Sequence, residues 1–267
     1  MPLGKPVTYA RELQIAETTA RDAGVLLLER QSEILNVRHK GVVDLVTDAD
    51  LASERLIAER LAGAFPNDRL LAEEGTMASG DEDGSRRWIV DPLDGTTNYA
   101  HGYPLYAVSI ALEVDGVVEV GVVYVPRLDE LFSAIRGHGA TFDGSISAVS
   151  ETEELVESML GTGFAYDPTV RLKNVAPWSR FAAEAQAVRR DGAAALDLVY
   201  VACGRYDGFW ERELSPWDVA AGALIVSESG GSVTDYGGNP VDIYAREVVA
   251  SNGRIHAAML ATLADTA

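Results

Sequence analysis

Hydrophobic positions along the chain change spacing in blocks, and the blocks predict the elements. Leu13, Ala16, Ala20 and Leu27, with Gln31, recur at helical spacing and predict a long first helix over 9–31. Leu45-Val46 leads into Thr47-Asp48-Ala49-Asp50 and a second amphipathic helix to about Phe65, stopped by Pro66-Asn67-Asp68. Short apolar runs at 69–72 and 88–90 read as strands, the first ending in Glu73-Glu74-Gly75, with an acidic loop over 77–87 between them. In the middle, the runs 107–114 and 117–125 flank Asp115-Gly116. That is a hairpin signal, because Asp-Gly accepts the positive φ angles of a tight turn. A further strand is expected at 130–135.

The polar stretch 143–154 is the expected boundary between an N-terminal half, 1–146, and a C-terminal half, 147–267. Beyond it the pattern predicts a strand at 156–160, helices at 170–188 and 193–203, and a strand at 208–211. A helix at 217–229, a strand at 247–251 and a closing helix at 254–264 follow. Strands that cluster first and alternate with helices later predict a mixed α/β (α+β) architecture with two sheets.

Composition narrows the function classes. A chain of 267 residues can bury a sizeable core, roughly 70–75% of its unfolded surface. No apolar run approaches the ~20 residues of a membrane span, and the N-terminus lacks the apolar stretch of a secretory signal. Cys203 is the single cysteine, so no intramolecular disulfide forms and a reducing cytoplasm is the expected compartment. A formal net charge of −19 argues against nucleic acid as a partner, because that binding needs Lys and Arg to neutralise phosphates.

The candidate chemistry lies in acidic clusters at strand ends and helix starts: Asp48/Asp50, Glu73/Glu74, Asp91/Asp94 and Asp218. Ligands gather at such strand ends in α/β sheets, and Mg²⁺ takes carboxylate, water and phosphate oxygens. Each cluster also has a structural reading. Ser215-Pro216-Trp217-Asp218 has the form of a helix cap, Thr47 to Asp50 likewise, and Glu73-Glu74-Gly75 that of a solvated turn. The pair in DPLDGTT, 91–97, is more demanding. Two carboxylates ~4 Å apart repel by about 4 kcal/mol at an effective dielectric near 20, so convergence of several calls for a cation. Gly95-Thr96-Thr97 adds backbone N–H groups suited to an anion. Spacing leaves open whether the clusters meet.

The motifs together resemble a known family. WIVDPLDGTTNY (88–99), Leu71-Ala72-Glu73-Glu74-Gly75, PWDVAAGALIVSESGG (216–231), DLVTDAD (44–50) and RRDGAAALDLVYVACGRYDGFWE (189–211) are similar, in order, to the motifs of the inositol monophosphatases, within the lithium-sensitive, Mg²⁺-dependent phosphatase superfamily. The resemblance covers most of the chain. It implies a layered αβαβα sandwich of the inositol monophosphatase/fructose-1,6-bisphosphatase type, a homodimer and lithium inhibition. It also implies hydrolysis of a small phosphate monoester. Inositol 1-phosphate comes first, with fructose 1,6-bisphosphate, histidinol phosphate and 3′-phosphoadenosine 5′-phosphate as alternatives.

By position, the resemblance implies that Glu73, Asp91 and the backbone oxygen of Leu93 hold one Mg²⁺, and that Asp91, Asp94 and Asp218 hold another, with a third ion near Glu73 as an option. Thr96, supported by Asp50 and Glu73, would orient the attacking water. Gly95 and Thr96 would cradle the phosphate, and Asp94, Ala194 and Glu211 would meet substrate hydroxyls. Lys40, in a stretch one residue shorter than in animal members, and Thr97 complete the candidates. The loop GTGFAYD (161–167) departs from animal members and is similar to bacterial ones. The histidines at 39, 101, 138 and 256 fall outside the acidic motifs and read as structural or solvent-facing.

Two rival readings remain. Asp48-Ala49-Asp50 after Leu45-Val46 mimics the nucleophile motif of aspartyl-phosphate phosphatases, although Ala52 stands where Thr or Val is usual. A non-catalytic regulatory protein could also retain the fold.

Overall fold

The structure, a computed structural model, describes residues 8–31, 37–39, 45–75 and 85–266. It opens with α1 (Ala10–Gln31), the short hairpin β1 (Val37–His39) and β2 (Leu45–Thr47), and α2 (Asp48–Ala64). A seven-stranded sheet then follows in chain order. Its strands are β3 (Arg69–Ala72), β4 (Arg86–Asp94), β5 (Ala107–Val114), β6 (Val117–Val125), β7 (Glu130–Ile135), β8 (Ala140–Phe142) and β9 (Ser145–Ile146). Only β3 and β4 run parallel; the other neighbours are antiparallel. The β5–β6 turn has Asp115 at φ 51° and Gly116 at φ 80°, the left-handed geometry its dipeptide favours. A single-turn helix, α3 (Thr96–Ala100), leaves the end of β4.

The second sheet has five strands in the order β11-β10-β12-β14-β13. They are β10 (Met159–Thr162), β11 (Ala187–Arg189), β12 (Gly208–Arg212), β13 (Ser232–Thr234) and β14 (Glu247–Ser251). Its helices are α4 (Pro168–Arg171), α5 (Val175–Glu184), α6 (Ala194–Ala202), α7 (Pro216–Glu228) and α8 (His256–Ala264).

The layers follow from which faces are apolar. Helices α1 and α2 cover one face of the seven-stranded sheet, α1 through Ala16, Ala20, Ala23 and Leu27. The other face packs on α6 and α7, which are buried from both sides because the five-stranded sheet lies beyond them. Helices α5 and α8 close that sheet's outer face. The order is therefore α-β-α-β-α. Close approach in the middle layer depends on Gly121 of β6: a Cβ there would come within 2.8 Å of the Ala221 carbonyl oxygen of α7.

The second half departs in detail from the pattern reading. The stretch 170–188 is not one helix. α4 gives way to a 3-10 turn (Leu172–Asn174), α5 ends at Glu184, and β11 pairs parallel with β10. Backbone pairing with β10 overrides the helical spacing there. The strand expected at 156–160 begins instead at Met159, after a 3-10 turn at Leu155–Glu157.

Candidate metal centre and substrate cleft

Asp91 and Asp94 stand three apart on β4, and on a regular strand such positions face opposite sides. The register with β5 explains how they meet. Asp91 pairs with Ser109 and Asp94 with Ala107, so β4 carries one more residue than β5 across this step. The extra residue is a bulge that contains Pro92, which has no N–H to give a ladder. It returns both aspartates to one face. Oxygens of Asp91, Asp94 and Asp218 all lie within 4.8 Å of one another.

The neighbouring elements are tied to this bulge. Ser53 of α2 donates to the Pro92 carbonyl oxygen at 2.9 Å, bringing Asp50 alongside. Ser109, opposite Asp91, donates to the Trp217 carbonyl oxygen at 3.1 Å and holds the start of α7, which carries Asp218. The Glu73 amide reaches the Val90 carbonyl oxygen at 3.3 Å. Asp50, Glu73 and Glu74 form a second acidic group, again with ligand atoms within 4.8 Å.

Asp218 does the capping work its sequence suggested as well: the Ser215 amide donates to its Oδ2 at 2.7 Å. The Thr96 hydroxyl donates to the Leu93 carbonyl oxygen at 3.1 Å, and the Leu93 amide donates to Asp91 Oδ1 at 3.0 Å. Asp94 accepts the amides of Ala194, Ala195 and Leu196 at the start of α6, at 3.1, 2.8 and 3.4 Å. Ala194 therefore bonds Asp94 through its amide.

These residues line one cleft of ≈ 240 Å³, with Glu73, Asp91, Leu93, Asp94, Gly95, Thr96, Ala194, Glu211 and Asp218 all in its wall. Thr97 faces a neighbouring hollow instead. Lys40 lies outside the described residues. Glu211 packs on Gly163, where a Cβ would overlap its carboxylate. His256 holds Ser251 and Thr234 through its two ring nitrogens, at 2.9 Å each, and His101 and His138 are exposed, in keeping with structural or solvent-facing roles.

Electrostatically the cleft is under tension. Burial, then Glu73, Asp94, Asp218 and Asp50, hold the Asp91 carboxyl well above its ordinary range. Burial pushes Asp94 up to about 6, against the pull of the Ala195, Leu196 and Ala194 amides. Burial and then Asp94 raise Asp218 to about 8; burial and then Asp218 raise Glu211 to about 8. Converged, buried oxygen donors of this kind suit a hard divalent cation, which would remove the repulsion. The residues present fit such an ion.

Sequence reasoning gave no site role to Arg190, Arg212, Arg246 and Trp217 in the cleft wall, whereas Glu74, named there within an acidic cluster, joins Asp50 and Glu73 in the second acidic group. Sequence reasoning also passed over the serine anchors Ser53 and Ser109. No local signal marks them, because their partners are distant in sequence.

A family model described as "Inositol monophosphatase family" matches residues 9–267. The chain belongs to the inositol monophosphatase family. One relative, named inositol-1-monophosphatase, from Synechocystis sp., is 42% identical and aligns over 99% of this chain and 93% of its own length. Another, named Nus factor SuhB, from Pseudomonas aeruginosa, is 41% identical over 94% of this chain and 95% of its own length. Among solved structures, the extragenic suppressor protein suhB of Bartonella henselae superposes with a TM-score of 0.91 at 40% identity, covering 95% of this chain and 98% of that one. The inositol monophosphatase of Anabaena (Nostoc) sp. superposes with a TM-score of 0.87 at 43% identity, covering 96% of both chains. The layered fold is that of these inositol monophosphatase family structures. Among the described residues, no helix is long and apolar enough to cross a membrane.

Proposed function

We propose that the protein hydrolyses a small phosphate monoester in a Mg²⁺-dependent reaction, with inositol 1-phosphate as first substrate, giving myo-inositol and phosphate. The observation that carries this reading is the convergence of Asp91, Asp94 and Asp218 within 4.8 Å beside Asp50, Glu73 and Glu74. Asp91, Glu73 and the Leu93 carbonyl oxygen would hold one Mg²⁺; Asp91, Asp94 and Asp218 would hold a second, with room for a third near Glu73. Mg²⁺ bound there supplies Lewis-acid chemistry, easing deprotonation of water and neutralising charge on the phosphoryl group.

The chain's own residues position the rest. Thr96, Asp50 and Glu73 orient the attacking water. Gly95 and Thr96 offer backbone amides to the phosphate, and Asp94, Ala194 and Glu211 meet the polyol hydroxyls. The water oxygen bonds to phosphorus, the bond to the bridging oxygen breaks, and the alcohol departs with a proton. No side-chain nucleophile is required, which separates this reading from an aspartyl-phosphate mechanism. The family resemblance further suggests a homodimer, and the lone cysteine a cytoplasmic setting.

The test is Mg²⁺-dependent phosphate release from inositol 1-phosphate, fructose 1,6-bisphosphate, histidinol phosphate and 3′-phosphoadenosine 5′-phosphate, with LiCl titrated against Mg²⁺. The highest kcat/KM is expected on inositol 1-phosphate, with inhibition by Li⁺. Relatives of similar identity carry the name Nus factor SuhB, which keeps a regulatory, non-catalytic reading in view. Absence of phosphate release from all four compounds would favour it.

A further inference from the structure

Two residues of the segment 189–211, Asp191 and Tyr206, are buried behind the cleft and are not part of its wall. They are 15 positions apart in sequence, and the Tyr206 hydroxyl donates to Asp191 Oδ2. Burial and then this bond hold the Tyr206 hydroxyl well above its ordinary range, so it stays protonated as a donor. Tyr206 is itself fixed. Its amide donates to the Tyr200 carbonyl oxygen at 3.0 Å, and its ring meets the Tyr200 ring edge-on at 5.5 Å. Gly161 of β10 lies so close that a Cβ there would come within 2.9 Å of the Tyr206 ring. Asp191 is held at its backbone too, because its carbonyl oxygen accepts Asn98 Nδ2 of α3 at 2.7 Å.

Only Gly192 and Ala193 separate this anchored residue from the first turn of α6. Ala193 stands at the N-cap without a side-chain oxygen, so the helix does not fix its own start. Where its first amides lie therefore depends on the turn that Asp191 opens. Those amides are the ones Asp94 accepts, from Ala194 at 3.1 Å and Ala195 at 2.8 Å. A carboxylate held by fixed amides keeps its remaining lone pairs in one direction, and Mg²⁺ demands near-ideal octahedral geometry from its ligands.

We propose that Asp191 and Tyr206 are positioning residues for Asp94: their hydrogen bond sets the first amides of α6, and those amides aim the Asp94 carboxylate at the divalent ion. The proposal rests on the acidic centre taking Mg²⁺, as the phosphatase reading requires.

The test is calorimetric titration of MgCl₂ into wild type, Tyr206→Phe, Asp191→Ala and Asp191→Asn, well below each Tm. Hydrogen exchange of the Ala194 and Ala195 amides is followed by NMR in the metal-free proteins. Tyr206→Phe and Asp191→Ala should each raise the Kd for Mg²⁺ about fivefold, less than the 10–100-fold of a group bonded directly to a metal ligand. Both should speed exchange of the two α6 amides and leave amides in the centre of β5 unchanged. Asp191→Asn loses the charge but keeps an oxygen for the Tyr206 hydroxyl, so its Kd should stay within about twofold of wild type. The double variant Tyr206→Phe/Asp191→Ala should bind no more weakly than the weaker single variant, since both break one bond. A pair that serves only the fold would lower Tm and leave Mg²⁺ affinity as it was, which overturns the proposal. Additive losses in the double variant overturn it too. So does an Asp191→Asn as weak as Asp191→Ala, because charge and not position would then be at work. Should Tyr206→Phe melt early, the contrast between Asp191→Ala and Asp191→Asn decides. If the wild type takes up no Mg²⁺, the phosphatase reading fails separately, and amide exchange judges the pair: faster exchange at Ala194 and Ala195 supports it, and unchanged exchange overturns it.

Discussion

The carboxylate of Asp94 accepts the amides of Ala194 and Ala195, at 3.1 and 2.8 Å, and so caps a helix whose own N-cap position holds Ala193 and has no side-chain cap. Ser, Thr, Asp or Asn at an N-cap is worth about 1 kcal/mol over Ala. Here an aspartate 100 residues earlier in the chain takes the part. One residue therefore joins the seven-stranded sheet to the middle helix layer and contributes an oxygen to the acidic centre.

Asp94→Asn and Asp218→Asn should each lower kcat at least a hundredfold, roughly 2.7 kcal/mol of transition-state stabilisation. The two should differ in stability without metal. Asp218 carries its carboxyl at about 8 against an ordinary 3.8, so near neutral pH folding must hold a proton there that the unfolded chain releases; its replacement removes that cost, and the metal-free Tm should rise. Asp94→Asn also loses an acceptor for the α6 amides, so its metal-free Tm should change less. Steady-state kinetics and melting curves with and without Mg²⁺ check both. Near-normal turnover in both variants would remove the acidic centre from the reaction.

The pH dependence has a definite sign. Asp94, Asp218 and Glu211 have folded pKa values of about 6, 8 and 8, above their ordinary values of 3.8, 3.8 and 4.5. Between these limits the folded chain binds more protons than the unfolded one, so metal-free stability falls as pH rises through that window. Mg²⁺ needs the carboxylates deprotonated, so its stabilising effect should grow over the same range. At 100 times Kd, a ligand adds about 2.7 kcal/mol, and at about 2–4 °C per kcal/mol for a chain of this size the Tm should rise by about 5–11 °C near pH 8. A much smaller rise is expected near pH 5.5. Scanning calorimetry at both pH values, with MgCl₂ or with a chelator, measures it; an equal rise at both would contradict the assignment.

Gly163 tests the polyol side of the cleft. A Cβ at this position would overlap the Glu211 carboxylate, so Gly163→Ala must displace that side chain. The substitution should raise KM for inositol 1-phosphate about tenfold, the equivalent of one lost hydrogen bond to a charged group, while the Mg²⁺-induced Tm rise persists. Glu211→Gln should raise KM in the same direction and by less, since an amide keeps an acceptor. An unchanged KM in Gly163→Ala would detach Glu211 from substrate binding.

The parts that were legible in the sequence are those set by local chemistry. The β5–β6 hairpin follows from Asp115-Gly116, and the amphipathic spacing of Leu13, Ala16, Ala20 and Leu27 marks α1. The acidic residues of the site were legible as types in motifs; that Asp91 and Asp94 share a face was not. That depends on a bulge defined by pairing with β5, and the pairing partner, Ser109, carries no signal of its own. The 170–188 stretch misled for a related reason. Asn174 accepts the Trp210 indole N–H at 2.8 Å and donates to the Gly163 carbonyl oxygen at 2.6 Å, so distant contacts break up what spacing shows as a single helix.

Asp68 offers a change that should act on the fold alone. It is buried, accepts Arg86 Nε at 2.9 Å and the Trp88 indole N–H at 3.0 Å, and so ties the turn after α2 to the start of β4. Asp68→Ala would leave the fully buried Trp88 without its acceptor and remove one of the two carboxylates paired with Arg86. Each loss is worth about 1–3 kcal/mol, so a destabilisation of about 2–4 kcal/mol is expected. At about 2–4 °C per kcal/mol that is a fall in Tm of about 4–16 °C. Asp68 is not part of the cleft wall, and the bulge is held separately by Ser53 and Ser109. At a temperature well below the new Tm, kcat on inositol 1-phosphate should therefore stay within about twofold of wild type, since distant, independent sites act additively. A fall in kcat as deep as that of Asp94→Asn would mean that the geometry of β4 at Asp91 and Asp94 is transmitted along the strand from Arg86 rather than fixed locally at the bulge.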